Sequence, residues 1–285
     1  MNVEAIFPSP DNIVQTHDHY IPLTSGEIHL WLTLADEIDE PGLLNAYRAL
    51  LNPAEREQER RFYFARDRHR YLVTRALVRT VLSRYIAVAP CEWMFSTNAY
   101  GRPHAVNKEA TDCSLSFNIS HTQGLIVLGV TKCRSLGVDV ENIVTLKAPI
   151  DIANRYFAPQ EVAALNAVLP EQQQYRFFEY WTFKESYIKA RGMGLSLPLD
   201  KFSFHYANDR IVELAIDADL EDDAARWEFW QFQPTSEHLL AVCAERIGSH
   251  SSRLIIRKRI PLKSEENITP KFLRTSAPIR YSFVE

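Results

Sequence analysis

The stretch from 172 to 191 does most to narrow what this chain can fold into. It ends in Gly192 and Gly194, the usual stop signal of a helix. Within it Phe178, Trp181, Glu185 and Ile188 recur at spacings of 3, 4 and 3, so they share one helical face. A carboxylate in the middle of an apolar stripe costs several kcal/mol to desolvate unless it is paired or coordinating. Lys189 stands four residues on, on the same face. On an exposed face such a pair would be plain helix support, worth a few tenths of a kcal/mol. Beside Trp181 and Phe178, a functional Glu/Lys pair at a cleft is the better reading.

The remaining pattern sets strands and helices in blocks rather than in regular βα alternation. Residues 27–34 alternate polar and apolar side chains and read as a first strand. Asn52-Pro53 opens a long helix, or a broken pair, running to about Tyr85, with Asn as N-cap and Pro in the first turn. Strands are expected over 93–97, 115–119, 125–130 and 136–141, with a turn at 98–103. Helices follow over 159–169 and 172–191, then strands over 202–206, 210–216, 226–232 and 239–244. This order predicts an α+β fold: an irregular leader over 1–25, an N-terminal lobe over 26–130, a C-terminal lobe over 131–247 and an extension over 248–285. From Arg253 on, that extension holds eight Lys/Arg against three Glu. It reads as a solvated basic tail, or else as a dock for an acidic partner.

At 285 residues and 46% hydrophobic, the chain has apolar mass for two small lobes. A net charge of −4 gives no global attraction to nucleic acid or to an anionic membrane. No apolar run approaches the ~18 residues of a membrane span, and the N-terminus lacks a signal-peptide pattern. Cys91, Cys113, Cys133 and Cys243 form no Cys-x-x-Cys pair, so free thiols in the reducing cytoplasm are expected. His17-Asp18-His19 could suggest a metal tripod, but nothing nearby completes one and a solvated loop is expected.

Two further segments carry chemistry. In Gly137-Val138-Asp139-Val140-Glu141 the strand alternation puts both carboxylates on one face, opposite the valines. Two carboxylates so placed repel each other. They are tolerated in solvent, as an acidic strand face, or with a hard cation between them, and rigid oxygen ligands of this kind suit Mg²⁺. Phe117-Asn118-Ile119-Ser120-His121 ends a strand in a hydroxyl and an imidazole at a corner, a fair phosphate cradle. Ser120 and His121 point to opposite strand faces, so they do not form a nucleophile–base pair unaided.

Together these segments resemble the Sfp-type 4′-phosphopantetheinyl transferases. Three motifs occur in the family's order: Phe117–His121 (FNISH), Gly137–Glu141 (GVDVE) and Trp181–Ala190 (WTFKESYIKA). Asn98–Pro103 (NAYGRP), Gly192–Leu199 (GMGLSLPL) and the run with Phe62, Asp67, His69 and Arg70 agree as well. The resemblance covers roughly residues 50 to 245. It implies two similar α+β lobes related by a pseudo-twofold axis, with coenzyme A in the cleft between them. It implies that Asp139, Glu141 and Glu185 hold Mg²⁺, that Glu185 and Lys189 are catalytic, and that Lys189, Ser120 and His121 contact phosphates of coenzyme A. Gly101-Arg102-Pro103 would lie along the nucleotide. The partner would be an apo-acyl or peptidyl carrier protein, and a monomer would suffice because one chain forms both walls of the cleft. The chain departs from members with two lysines early in the N-lobe helix, since Glu55 and Gln58 stand at those positions. Other members use an arginine further along, and the resemblance passes that role, on the 3′-phosphate, to Arg75. A magnesium-dependent nucleotide diphosphate hydrolase would share the carboxylates, with water as acceptor. A silent module gripping carrier proteins would leave Glu185 and Lys189 unexplained.

Overall fold

The computed structural model describes residues 20–248 and 252–276, so His17-Asp18-His19 lies outside the described residues. The N-terminal lobe begins with β1 (Glu27–Leu34) and helices α1 (Pro41–Leu50), α2 (Pro53–Arg61) and α3 (Ala65–Leu82). It continues through β2 (Phe95–Thr97), β3 (Pro103–Ala105), α4 (Lys108–Asp112), β4 (Leu115–His121) and β5 (Leu125–Lys132). The C-terminal lobe follows with β6 (Leu136–Asn142), α5 (Ile150–Tyr156), α6 (Pro159–Asn166) and α7 (Pro170–Arg191). Then come β7 (Phe202–Asn208), β8 (Ile211–Ile216), β9 (Trp227–Thr235), β10 (His238–Glu245), β11 (Arg253–Ile260), β12 (Ser264–Asn267) and β13 (Lys271–Thr275). The fold is α+β with two sheet-bearing lobes: one sheet runs β12-β11-β1-β5-β4, the other β6-β10-β9-β13-β8-β7.

Alternation along the central strands explains the layering. On β1, Ile28, Leu30 and Leu32 face a shared core with Val138, Val140, Leu240 and Val242 of the second sheet. Trp31 faces the other way, onto Leu72, Val73, Ala76 and Leu77 of α3. On β10, Leu239, Ala241 and Cys243 meet Phe183 and Tyr187 of α7. The central strands of each sheet are thus buried on both faces, and β5 reads as an apolar run from Leu125 to Val130.

The long N-lobe helix is the broken pair. Asn52 caps α2, its side chain accepting from Glu55 N at 2.9 Å, while the Glu55 carboxylate reaches back to Asn52 N at 3.1 Å. Phe62 and Phe64 then take extended backbone and separate α2 from α3.

The solvated-tail reading needs correction. β11 pairs in parallel with β1, and β13 enters the second sheet between β9 and β8. The basic residues are not simply solvated: the guanidinium groups of Arg257 and Arg259 lie 4.9 and 5.5 Å from the Trp31 ring, and Arg274 is buried on Glu179 of α7 at 2.6 Å. Planar guanidinium covers apolar and aromatic surface readily, which a charge count does not register.

Candidate active site

The site grows from three elements: β4, β6 and α7. β6 is an edge strand, and its free N–H groups need acceptors. Asn118, Ser120 and Thr122 of β4 and its turn supply them, one every second residue. Asn118 Oδ1 accepts from Val138 N at 2.9 Å, Ser120 Oγ from Val140 N at 3.3 Å, and Thr122 Oγ1 from Asn142 N at 3.2 Å. This side-chain ladder stitches the lobes together. Sequence reasoning missed it, although polar residues at 118, 120 and 122, alternating with Phe117 and Ile119, were its signal. α7 presses on the other face of β6. A Cβ on Gly137 would stand 1.9 Å from Ser186 O, so only glycine admits the helix this closely.

That approach brings Asp139, Glu141, Glu185 and Lys189 to one corner. Lys189 Nζ donates to Asp139 Oδ1 at 2.6 Å and to Ser120 Oγ at 2.9 Å, and Ser120 Oγ donates to the same Asp139 oxygen at 3.1 Å. The lysine therefore pairs with Asp139, not with Glu185 four residues before it. Trp181 Nε1 donates to Glu141 Oε1 at 3.1 Å. Burial first, then the negative charge of Asp139, pushes the Glu185 carboxyl up to about 7, against the pull of Lys189. The same two causes raise Glu141. The carboxylates are thus packed more tightly than they would be on an acidic strand face in solvent. His121 lies at the open end of β4, where surrounding protein and then the charge of Arg70 press its imidazole toward the neutral form.

A cavity of about 250 Å³ opens beside this corner. Gly101, Arg102, Pro103, Asn118 and Ile119 line one wall; Glu185, Ile188, Lys189, Gly192 and Gly194 line the other. Arg102 reaches it, but its terminal nitrogens donate to Ala190 O and Leu136 O, each at 3.0 Å. Arg75 is not among the residues lining the cavity. Its guanidinium is hydrogen-bonded to Glu55 and stacks over Phe95 at 4.7 Å. Glu55, expected only to repel a phosphate, is held from its other side by Arg79 at 2.6 Å. The tie follows from the α2 cap, which fixes Glu55 against α3.

Among the described residues, no three His, Cys, Asp or Glu side chains close around one point as a self-sufficient metal cage. Mg²⁺ does not require one, since it is commonly held by one or two carboxylates together with phosphate oxygens and water. Asp139 Oδ2 is buried without a hydrogen-bond partner, and the charge of Asp139 raises both glutamates beside it. An orphaned hard oxygen among mutually repelling carboxylates is a donor set that fits a divalent cation.

Comparison with known sequences gives the family. Residues 41–133 match a family described as 4′-phosphopantetheinyl transferase, N-terminal, and residues 135–243 match the 4′-phosphopantetheinyl transferase superfamily. A 4′-phosphopantetheinyl transferase of Bacillus subtilis is 36% identical over 69% of this chain and 83% of its own length. The chain belongs to the 4′-phosphopantetheinyl transferase family. The Sfp transferase of Bacillus subtilis strain 168 is 34% identical over 70% of this chain and 84% of its own, and HetI of a Nostoc species 33% over 66% and 75%. The enzyme is therefore a transferase, and nothing in its relatives supports the hydrolase reading. Among its described residues no helix is long and apolar enough to cross a membrane.

Proposed function

We propose that this phosphopantetheinyl transferase uses the Asp139–Glu141–Glu185–Lys189 corner to move the phosphopantetheine arm of coenzyme A to a serine of an apo-acyl or peptidyl carrier protein. The observation that carries the reading is the orphaned Asp139 Oδ2 beside two glutamates whose carboxyls are raised by burial first and then by the charge of Asp139. Asp139, Glu141 and Glu185 would hold Mg²⁺, with Trp181 steadying Glu141 through its indole N–H. When bound, the ion would neutralise the charge of the coenzyme A diphosphate and orient it, the main need of phosphoryl transfer.

The protein's own groups then have defined tasks. The carrier serine oxygen bonds to the β-phosphorus, the bond from that phosphorus to the bridging oxygen breaks, and 3′,5′-ADP leaves. Lys189, reaching from α7 toward Ser120, stabilises charge on the transferring phosphate. Glu185 takes the serine proton directly or through one water. Ser120 and His121 contact phosphates at the open end of β4. The 101–103 turn lies along the nucleotide, and Arg75 meets the 3′-phosphate at the expense of its tie to Glu55. We place the enzyme in the cytoplasm as a monomer. The test is stoichiometric: with coenzyme A and Mg²⁺, each 3′,5′-ADP released should match one carrier gaining the mass of the arm. Release of 3′,5′-ADP without carrier would support hydrolysis instead.

A further inference from the structure

The turn between β2 and β3 is built around Asn98. Its Oδ1 accepts from Tyr100 N and Arg102 N, both at 2.9 Å, and Gly101 N closes onto Asn98 O at 3.0 Å. The same residue sends its Nδ2 across the cleft to Gly192 O at 2.8 Å. Arg102 follows it across, to Ala190 O and Leu136 O. Gly192 is the left-handed cap of α7, and its N–H turns back to Ile188 O. The last carbonyls of a helix lack intrahelical donors and carry its partial negative charge. Here those of Ala190 and Gly192 are met by side chains of the opposite lobe.

The charge at this place is unusual. Arg102 is largely buried, burial alone shifts its guanidinium, and among the described residues no carboxylate forms an ion pair with it. Its two anchor points are also telling. Ala190 follows Lys189 directly, and Leu136 stands three residues before Asp139 on β6. A single rigid fork thus bridges the helix that carries Glu185 and Lys189 to the strand that carries Asp139 and Glu141.

We propose that Arg102 is a positioning residue: its guanidinium, with Asn98, clamps the end of α7 to the start of β6 and so sets the reacting corner, rather than serving as a phosphate contact. This rests on the proposed reading of that corner. A lysine here would have to meet both carbonyls from a single nitrogen, as Lys184 meets Leu199 O and Phe202 O at 2.7 Å each, instead of from the two ends of a planar fork. A phosphate contact, by contrast, would tolerate lysine as a point charge.

The test compares wild type with Arg102→Ala, Arg102→Lys and Asn98→Ala. Kinetics give kcat and KM for coenzyme A, calorimetry gives Kd for 3′,5′-ADP, and hydrogen exchange follows the peptide over 183–192. In both Arg102 variants kcat should fall about 10- to 100-fold, as misplacement of reacting groups by about an ångström does. KM and Kd should rise by less than kcat falls, because Asn98 and Arg102 also shape the 101–103 turn along the nucleotide, and exchange over 183–192 should quicken. Asn98→Ala should move the same way by less. A Kd or KM that rises tenfold or more in Arg102→Ala and is restored in Arg102→Lys would overturn the clamp in favour of a ligand contact. So would unchanged exchange together with unchanged kcat. Should Arg102→Ala not fold, Arg102→Lys and Asn98→Ala decide. Hydrogen exchange judges the clamp even if the wild type modifies no carrier, a result that would sink the proposed function alone.

Discussion

Adding a single methyl group at Gly137 should cripple the enzyme from outside its chemistry. A Cβ there would lie 1.9 Å from Ser186 O and 2.5 Å from Ala190 N, both in the backbone of α7. Non-bonded heavy atoms settle at roughly 3.5 Å, so in Gly137→Ala the helix must back away from β6 by about 1.5 Å. Helix backbone cannot rotate aside as a flexible side chain can. Overpacking of this kind costs about 1–3 kcal/mol of stability. The larger effect falls on geometry, because the shift opens the 2.6 Å contact between Lys189 and Asp139. A displacement near 1 Å costs about 100-fold in a positioned reaction. Carrier modification followed by intact mass, alongside thermal melts, should therefore show a folded variant with kcat down by about two orders of magnitude. A Gly137→Ala enzyme within about threefold of wild type would refute the view that the β6–α7 approach sets the site.

Other outcomes follow from the same contacts. Glu185→Gln should abolish transfer while the melting temperature holds or rises, since it removes a charge that burial disfavours; a large loss of stability would instead show that Glu185 is structural. Arg75→Ala should raise KM about 10- to 100-fold for coenzyme A and far less for dephospho-coenzyme A. An unchanged ratio of kcat/KM for the two donors would remove Arg75 from the 3′-phosphate. Burial, and then the charge of Arg257, lowers the His29 imidazole from 6.5 to about 4. Between those pH values the unfolded chain binds a proton that the folded chain refuses, so stability falls on acidification across that window, by up to about 3 kcal/mol. Urea unfolding of wild type and His29→Gln at pH 7 and at about pH 4.5 checks this; parallel losses in the two proteins would contradict it.

Much of the site could be read from the sequence because its residues break local rules. Glu185 interrupts an apolar helical stripe, and Asp139 and Glu141 share a strand face whose other side is valine. What stayed hidden depends on contacts between distant segments. α1, over Pro41–Leu50, was not expected from the sequence, and the three-residue break between α2 and α3 contains neither Gly nor Pro to announce it. Arg257, Arg259 and Arg274 counted as solvent-facing charge, whereas Trp31 and Glu179 draw them into the two sheets. Glu55 looked like a repulsive substitution, yet with Arg75 and Arg79 it forms a local ion-pair network. Nothing in the spacing of Asn98 and Arg102 foretold that they would end a helix some 90 residues downstream.

Metal dependence is the most direct measure of the central claim. Apo-carrier is incubated with coenzyme A and wild-type enzyme stripped by excess chelator, and intact mass is followed as Mg²⁺ is restored; Asp139→Asn is carried through the same titration. The account predicts no modification in chelator, full recovery with Mg²⁺ for the wild type, and little at any Mg²⁺ concentration for Asp139→Asn. Modification at a near wild-type rate in chelator, or by Asp139→Asn, would contradict it.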